Sequence, residues 1–419
     1  MSKKVVFITA RLPYPANSGR KNVMYNYCKL LHEEFGFTVS VVSFLEPGDM
    51  VDPIPEFIDK VITLPRIGNL TKIWNIIVHS FIKGTVPIQV SLFYSSKIKK
   101  LIKNYVTDIQ PDYVICDMVR TTEYGKDLGC TTIADLDDRL SVRYQRQLDV
   151  DYGQDNPFGA YLKRLPKFVQ KFILGKNAKT LLLRKEISLL TRYELHVGDE
   201  YDWVVFVAKN EAKKFNADLG ERKAVALPLG VNTKLFPKLP NNRQINYELG
   251  FLGAMNVSHN STAVKYFIDE ILPIVHREIP NATFHVIGGG ADADLLEREN
   301  KLISFSGRVD NVTDELAKCQ IFVAPLLFGS GIKTKNLEAM SLGIPVVTNS
   351  IGAENISAVN GRDWIVRDDK SALAASIIQL LEDKTFAREV GENGASFVRR
   401  NFTWEQTKLA MTDLFKRGR

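Results

Sequence analysis

Long apolar runs are missing from this 419-residue chain, and none reaches the roughly 18 to 20 residues that a membrane-spanning helix needs. A helical integral membrane protein is therefore not expected. Cysteine is scarce: Cys28, Cys116, Cys130 and Cys319 fall at spacings that suit neither a metal site nor a disulfide framework. Reduced, buried thiols in a cytoplasmic protein are the expectation. The opening MSKK passes at once into an apolar strand over residues 5–9, so no signal peptide is expected ahead of the fold. Low-complexity sequence is also lacking, and 45% hydrophobic with 25% charged residues are the proportions of a folded globular protein.

What is present is length and positive charge. Single cores stop growing at roughly 250 to 300 residues, so two domains are expected. The net charge of +7 points to an acidic partner, which by itself admits phosphorylated small molecules, anionic lipid and nucleic acid. The charge is uneven. Between Tyr161 and Arg192 stand nine Lys or Arg residues (163, 164, 167, 171, 176, 179, 184, 185 and 192) and one acid, Glu186, with Leu165, Phe168, Val169, Phe172 and Ile173 between them at helical spacing. A second basic helical region covers residues 70–106.

Apolar strands at 5–9, 38–44, 60–64, 113–116, 131–134 and 203–207 alternate with helical periodicity, which predicts an α/β fold with a doubly wound parallel sheet. Residues 226–243, rich in Pro and polar turn formers, read as a linker. Strands follow at 248–252, 282–287, 302–305, 321–324 and 346–348, with a helix over 262–279. The expected organisation is a first Rossmann-like domain (1–227), a linker (228–246), a second Rossmann-like domain (247–400) and a C-terminal helix (401–419), possible packing of the last being back onto the first domain. In such sheets ligands bind beyond the carboxyl ends of the strands.

Several stretches carry chemistry. GSGIKTKNLEAMSLGIPVVTNSIG, residues 329–352, sets a glycine loop before a short helix, with Lys333 beside the helix start. Free N–H groups and a lysine at a helix N-terminus suit an anion. Alone, the stretch reads equally as an ordinary turn with a surface lysine. Asn17, Ser18 and Gly19, in the loop between the first strand and a helix expected over 22–35, form a second possible cradle. Asp117, at the tip of the 113–116 strand, suits a base or hydroxyl binder, or a cap for the next helix. Asp135, Asp137 and Asp138 resemble a DxD metal motif, but acids are common in loops after strands and no metal is expected. Gly288, Gly290 and Ala293 match GxGxxA on an internal strand, where Asp292 and Asp294 would oppose a pyrophosphate, so a dinucleotide cofactor is not expected.

Taken in order, FITARLPYPANSGR, FVAKNEAKKF, LPLGVNTKLF, FLGAMNVSHNSTAVKYF and FSGRVDNVTDELAKCQIFVAPLLFGSGIKTKNLEAMSLGIPVVTNSIGAE resemble the landmarks of GT-B-fold glycosyltransferases of family 4, over nearly the whole chain. The resemblance implies two Rossmann-like domains facing across a cleft. It implies transfer of a sugar from a nucleotide-diphosphate sugar, with retention and without metal or other cofactor, to a glycan or lipid-linked glycan acceptor. It places Glu338 on the ribose hydroxyls and the backbone of Arg308 and Val309 beside the base. The remaining donor-binding candidates are Gly253, Ser330, Gly331, Ile332, Lys333, Thr334 and Leu337. Lys333 stabilises the leaving diphosphate, and Asp117 stands roughly where relatives use a histidine; these two are the catalytic candidates.

Two departures from the family pattern bear on activity. Ser330 stands where many relatives carry the first glutamate of Glu-x7-Glu. Residues 254–259 hold no Arg or Lys where relatives often have both. A catalytically inactive GT-B protein that binds a glycan or partners another transferase is the competing reading. The basic segments 72–105 and 161–192 fit an anionic membrane surface at the cytoplasmic face, or a solvated or dimer-facing helix pair. Nucleic acid is not among the expected partners.

Overall fold

The computed structural model describes residues 2–16, 19–150 and 176–417. Among these, two parallel sheets account for the architecture. The first has seven strands in the order β3-β2-β1-β4-β5-β6-β7: β1 Lys4–Thr9, β2 Thr38–Ser43, β3 Lys60–Thr63, β4 Tyr113–Asp117, β5 Thr131–Asp137, β6 Trp203–Phe206 and β7 Ala224–Ala226. The second has six in the order β10-β9-β8-β11-β12-β13: β8 Tyr247–Leu252, β9 Phe284–Ile287, β10 Ile303–Gly307, β11 Cys319–Ala324, β12 Val346–Thr348 and β13 Ile365–Val366. In each sheet the chain winds outward one way from its first strand and then returns to wind the other. This leaves a crevice at the carboxyl ends beside β1 and β8.

Period-two alternation explains the burial. Val5 and Phe7 of β1 face a core with Val39, Val41, Tyr113 and Ile115 under helix Gly19–Glu33, whereas Val6 and Ile8 face Val42, Val114, Ile98 and Ile102 on the other side. Strands covered on both faces read as continuous apolar runs, as these do. The first core continues into the second domain through Phe322, Leu337 and Met340. The C-terminal helix Trp404–Arg417 lies on the first domain: the Phe415 ring is 4.8 Å from Tyr113 and 5.4 Å from Phe37, and Lys408 reaches Glu34 at 2.6 Å.

Some boundaries differ from the sequence reading. Helix Gly19–Glu33 starts a turn before the expected Asn22, because Gly19 and Arg20 already lie in it. The helix expected over 262–279 begins at Ser258 and runs through a π-type stretch, Phe267–Ile271. β5 extends to Asp137, so Asp135 and Asp137 sit on the strand's end rather than in a following loop. The short strands β7 and β13 carry only three and two residues, too few for a periodic signal.

Candidate functional site

Residues 329–333 leave β11 and enter helix Thr334–Ser341, with Lys333 at the N-cap. Gly329 has φ 150° and Gly331 φ 68°, conformations that L side chains rarely adopt. Gly331 also faces the first domain closely: a Cβ there would stand 3.3 Å from the Cβ of Asp138. The loop is thereby pressed against the carboxyl edge of the opposite sheet, and the partners it finds there belong to the first domain.

Of those partners the sequence singled out only Asp138, as part of a DxD-like motif, and not Glu211, Arg143 or Arg146. The Gly331 N–H donates to Glu211 Oε1 at 3.1 Å, from helix Lys209–Leu219. Ser330 Oγ donates to Asp138 and accepts from Arg143 Nε at 3.0 Å. Arg146 Nη1 donates to the Gly329 carbonyl at 2.7 Å, and its guanidinium pairs with Glu354 at 2.6 and 2.8 Å. Arg143 and Arg146 both stand on helix Leu140–Leu148, one turn apart, so one helix end delivers two guanidinium groups to the loop. Glu211 lay inside the FVAKNEAKKF landmark and Glu354 inside the GAE that ends the long landmark beginning FSGRV. Their pairing, however, depends on how two domains meet, which no local pattern encodes.

Lys333 is buried, and its Nζ donates to the carbonyls of Ser330 and Gly331, both at 2.8 Å. Burial pushes its pKa down to about 8, opposed by the acids Glu354, Asp138 and Glu211. A second lysine, Lys335, lies 4.4 Å from the centroid of the Phe251 ring and donates to Asn260 Oδ1; burial lowers its pKa to about 7. Burial raises Glu338 to about 7, with Lys335 opposing the shift. His259 is held well below the ordinary imidazole value, first by burial and then by Lys335, Arg143 and Lys333. Several cationic groups therefore converge on this crevice, consistent with a site that holds an anion.

The remaining candidates divide. Gly19, Thr334 and Glu338 line one narrow space between the domains together with Asn22, Gly230 and Asn232, and a Cβ on Gly19 would be 3.6 Å from Thr334 Oγ1. Gly253, at the end of β8, stands against the loop after β9: a Cβ on Gly288 would meet the Gly253 carbonyl at 2.1 Å. Arg308 is exposed and Val309 half-buried in the loop after β10, where a Cβ on Gly289 would be 3.3 Å from Arg308. Ile332 packs partly into the core. Leu337 is fully buried among core side chains, so only its backbone can contribute to a site. Asn17 and Ser18 lie outside the described residues.

Asp117 is buried and its carboxylate accepts from Arg20 Nε at 2.7 Å. Arg20 also meets Asp135 at 2.9 Å and Asp137 at 3.2 Å, so three carboxylates share one guanidinium at the carboxyl ends of β4 and β5. Burial lifts Asp135 to about 6, with Arg20 opposing. Of the two readings offered for Asp117, the helix cap is not met: the following 3-10 turn, Val119–Tyr124, starts after Met118 with no side-chain cap. Asp138 turns to Arg143 and Ser330 instead of joining the Asp135 pair. Among the described residues no cluster of three metal-ligating side chains is placed to hold an ion.

Residues 246–383 match the family described as glycosyl transferases group 1. An uncharacterized 44.6 kDa protein of the cps region of Klebsiella pneumoniae is 23% identical over 426 residues, which cover 99% of each chain. A GDP-mannose-dependent alpha-(1-6)-phosphatidylinositol monomannoside mannosyltransferase of Mycolicibacterium smegmatis is 24% identical over 240 residues, 52% of this chain and 63% of that one. Among solved structures, HepE of Anabaena in complex with UDP-glucose superposes with a TM-score of 0.64 at 13% identity, over 99% of each chain. Two parallel-sheet domains facing across a crevice make the GT-B fold, and within it residues 246–383 are similar to the glycosyl transferases of group 1.

Proposed function

We propose that this chain is a glycosyltransferase that moves a sugar from a nucleotide-diphosphate sugar to a glycan or lipid-linked glycan, with retention at the anomeric carbon and without a metal ion. The observation that carries the reading is the Gly331 N–H, which sits at the carboxyl edge of the second sheet and already donates to a carboxyl oxygen, that of Glu211. The donor diphosphate takes that place when the domains part. Gly331, Ile332, Lys333 and Thr334 then surround it at the helix start, where partial positive charge and backbone donors favour the negative charge that grows as the glycosidic bond to phosphate breaks.

Glu338, one turn into the helix, accepts from the ribose hydroxyls, and Arg308 and Val309 border the base. Arg143 and Arg146 supply the positive charge that residues 254–259 lack, and Lys335 adds to it from the other side. Ser330 contributes a hydroxyl, not a carboxylate, to the sugar side. Same-face transfer lets a leaving diphosphate oxygen take the acceptor hydroxyl's proton. Asp117 helps in that step only once Arg20 releases it. Two similar proteins support the donor class: one is a GDP-mannose-dependent mannosyltransferase and the other was solved with UDP-glucose.

A thermal-shift screen with UDP-, GDP-, ADP- and dTDP-sugars tests the donor class, since a ligand at about 100 times its Kd adds roughly 2.7 kcal/mol to stability. One family of nucleotide sugars should raise Tm and release nucleoside diphosphate on incubation. Proton NMR of the product's anomeric centre then reads retention. Activity that survives EDTA is expected. A screen in which no nucleotide sugar shifts Tm or is turned over would sink the proposal.

A further inference from the structure

From Lys60 to Thr107 the chain has eight basic residues (Lys60, Arg66, Lys72, Lys83, Lys97, Lys99, Lys100 and Lys103) and no Asp or Glu, although the whole chain has 48 acids. The structure adds a feature that charge alone does not reveal. Helix Asn69–Asn75 runs on as a π-type stretch, Ile76–Ile82, and its polar side faces inward. Asn75 is buried and donates to the carbonyls of Ser91 at 3.2 Å and Tyr94 at 2.8 Å, and Ser80 bonds Ser91 hydroxyl to hydroxyl at 2.9 Å. The apolar side faces out. Leu70 is 85% exposed, Trp74 66%, Ile77 46% and Phe81 48%, spaced four, three and four residues apart and therefore on one stripe. Ile82 lies beside them at 73%.

This reverses the arrangement of a surface helix in water, which buries its apolar stripe. Around the stripe the surface is basic. Arg66 and Lys83 are exposed at its two ends, and helix Ser96–Ile109 exposes Lys97, Lys100 and Lys103. Helix Lys176–Glu200 adjoins it, since Arg192 reaches the Gly84 carbonyl at 3.5 Å; that helix adds exposed Leu181 and Arg184.

We propose that this face docks onto an anionic lipid surface, with Leu70, Trp74, Ile77 and Phe81 entering the headgroup layer and the surrounding Lys and Arg residues meeting lipid phosphates. Apolar side chains with tryptophan on one side and cations around them suit that interface. A second copy of the chain fits poorly, because a two-fold contact through this face would set its cations against the same cations. The face is tied to the first domain's carboxyl edge by buried contacts: Glu186 accepts from the Ile88 and Gln89 N–H groups at 2.6 and 3.0 Å, and Gln89 Oε1 accepts from Arg120 Nε, just after β4, at 2.7 Å. Docking here sets the acceptor side of the crevice close to the lipid, which deepens the reading above and rests on it for the lipid-linked acceptor.

The test is flotation of the full chain with vesicles of phosphatidylcholine, with and without about 30% phosphatidylglycerol to give the surface a negative potential. Binding to the anionic vesicles is expected, with a blue shift of Trp74 emission. Trp74→Ser/Phe81→Ser should lower partitioning at least tenfold, and Lys97→Glu/Lys100→Glu/Lys103→Glu comparably, since each cation near the surface is worth roughly a fivefold change. Hydrolysis of a water-soluble nucleotide sugar should be unchanged in both variants, which also reports that they fold. Equal binding by wild type and the Trp74/Phe81 variant overturns the proposal. So does a wild-type dimer in light scattering that this variant turns into a monomer. Loss of donor hydrolysis with flotation intact would count against the transferase reading and leave the lipid face standing.

Discussion

The backbone N–H of Gly331 and the carboxyl of Glu211 meet at 3.1 Å across the two domains, so the loop that should hold a ligand's anion is occupied by one of the protein's own carboxyl groups. Burial pushes the Glu211 pKa up to about 8, and the neighbouring Asp138 adds to the shift. A carboxyl raised in the folded state from 4.5 stabilises fully below about pH 4.5, and that contribution is lost as pH rises through about 8. Tm should therefore fall between pH 5 and 8.5. Glu211→Gln should make the fall shallower without abolishing it, because Glu338 and Glu186, each raised to about 7 by burial, have the same sign. Calorimetry of both proteins over this range checks it. Parallel pH slopes would remove Glu211 as the cause.

Lys333 gives the second prediction. Its ammonium is buried against two carbonyls, with a pKa lowered by burial to about 8. If it holds the donor diphosphate, donor affinity should weaken as pH climbs through about 8 and the charge is lost. Lys333→Arg keeps its charge to far higher pH and should flatten that profile. Lys333→Ala should cost about 10²-fold in kcat/KM, the usual loss when one preorganised donor is removed from developing negative charge. Titration calorimetry with the nucleoside diphosphate at pH 7, 8 and 9.5 decides. An affinity independent of pH in the wild type would confine Lys333 to shaping its loop.

How much of this was legible beforehand follows from what each feature depends on. The strands at β1, β2, β4 and β12 are apolar runs closed by turn formers, and a run covered on both faces declares itself in one dimension. β7 and β13 are too short to do so. The 329–341 loop and helix were legible because glycine, lysine and an amphipathic turn are local. The contacts that complete the crevice were not, since Arg143 and Arg146 come from 180 or more positions away in the chain and meet Ser330 and Gly329 only when the domains close. The outward apolar stripe of residues 70–81 was hidden for another reason. Its sequence reads as an amphipathic helix, and amphipathicity gives a face but not which way that face points.

Glu338 lines one narrow space with Thr334 and the linker residues Gly230 and Asn232. A half-buried carboxylate that accepts from ribose hydroxyls should contribute about 1.5 to 3 kcal/mol, or roughly 10 to 100-fold in affinity. The wild type should therefore prefer a nucleoside diphosphate over its 2′,3′-dideoxy analogue by that factor. Glu338→Ala should bind both alike, near the weaker value. Because the Glu338 carboxyl is raised to about 7, the preference should grow from pH 6 to pH 8 as the carboxylate forms. Competitive displacement of a fluorescent nucleotide measures all four combinations. A Glu338→Ala protein that still distinguishes the two nucleotides would move ribose recognition elsewhere.

Arg20 is the residue on which the first domain's carboxyl edge depends, since Asp117, Asp135 and Asp137 all lie within 3.2 Å of its guanidinium. Removing one partner from a buried ionic cluster leaves charge with no compensation and costs about 3 to 5 kcal/mol. Arg20→Ala should therefore lower the urea midpoint of the first domain sharply at pH 7.5. Asp135 already has its pKa lifted to about 6 with the arginine present, and without it the carboxyl should rise further. The deficit of Arg20→Ala relative to wild type should consequently shrink at pH 5, where Asp135 takes up a proton instead of remaining an unpaired anion. Asp135→Asn in the same background should restore part of the loss at pH 7.5, since it removes one of the stranded charges while keeping the side chain's volume. Arg20→Lys should fall between, because a point charge cannot reach three carboxylates in the directions that a planar guanidinium does. A deficit that is the same at both pH values would mean that lost packing, not stranded charge, accounts for the effect.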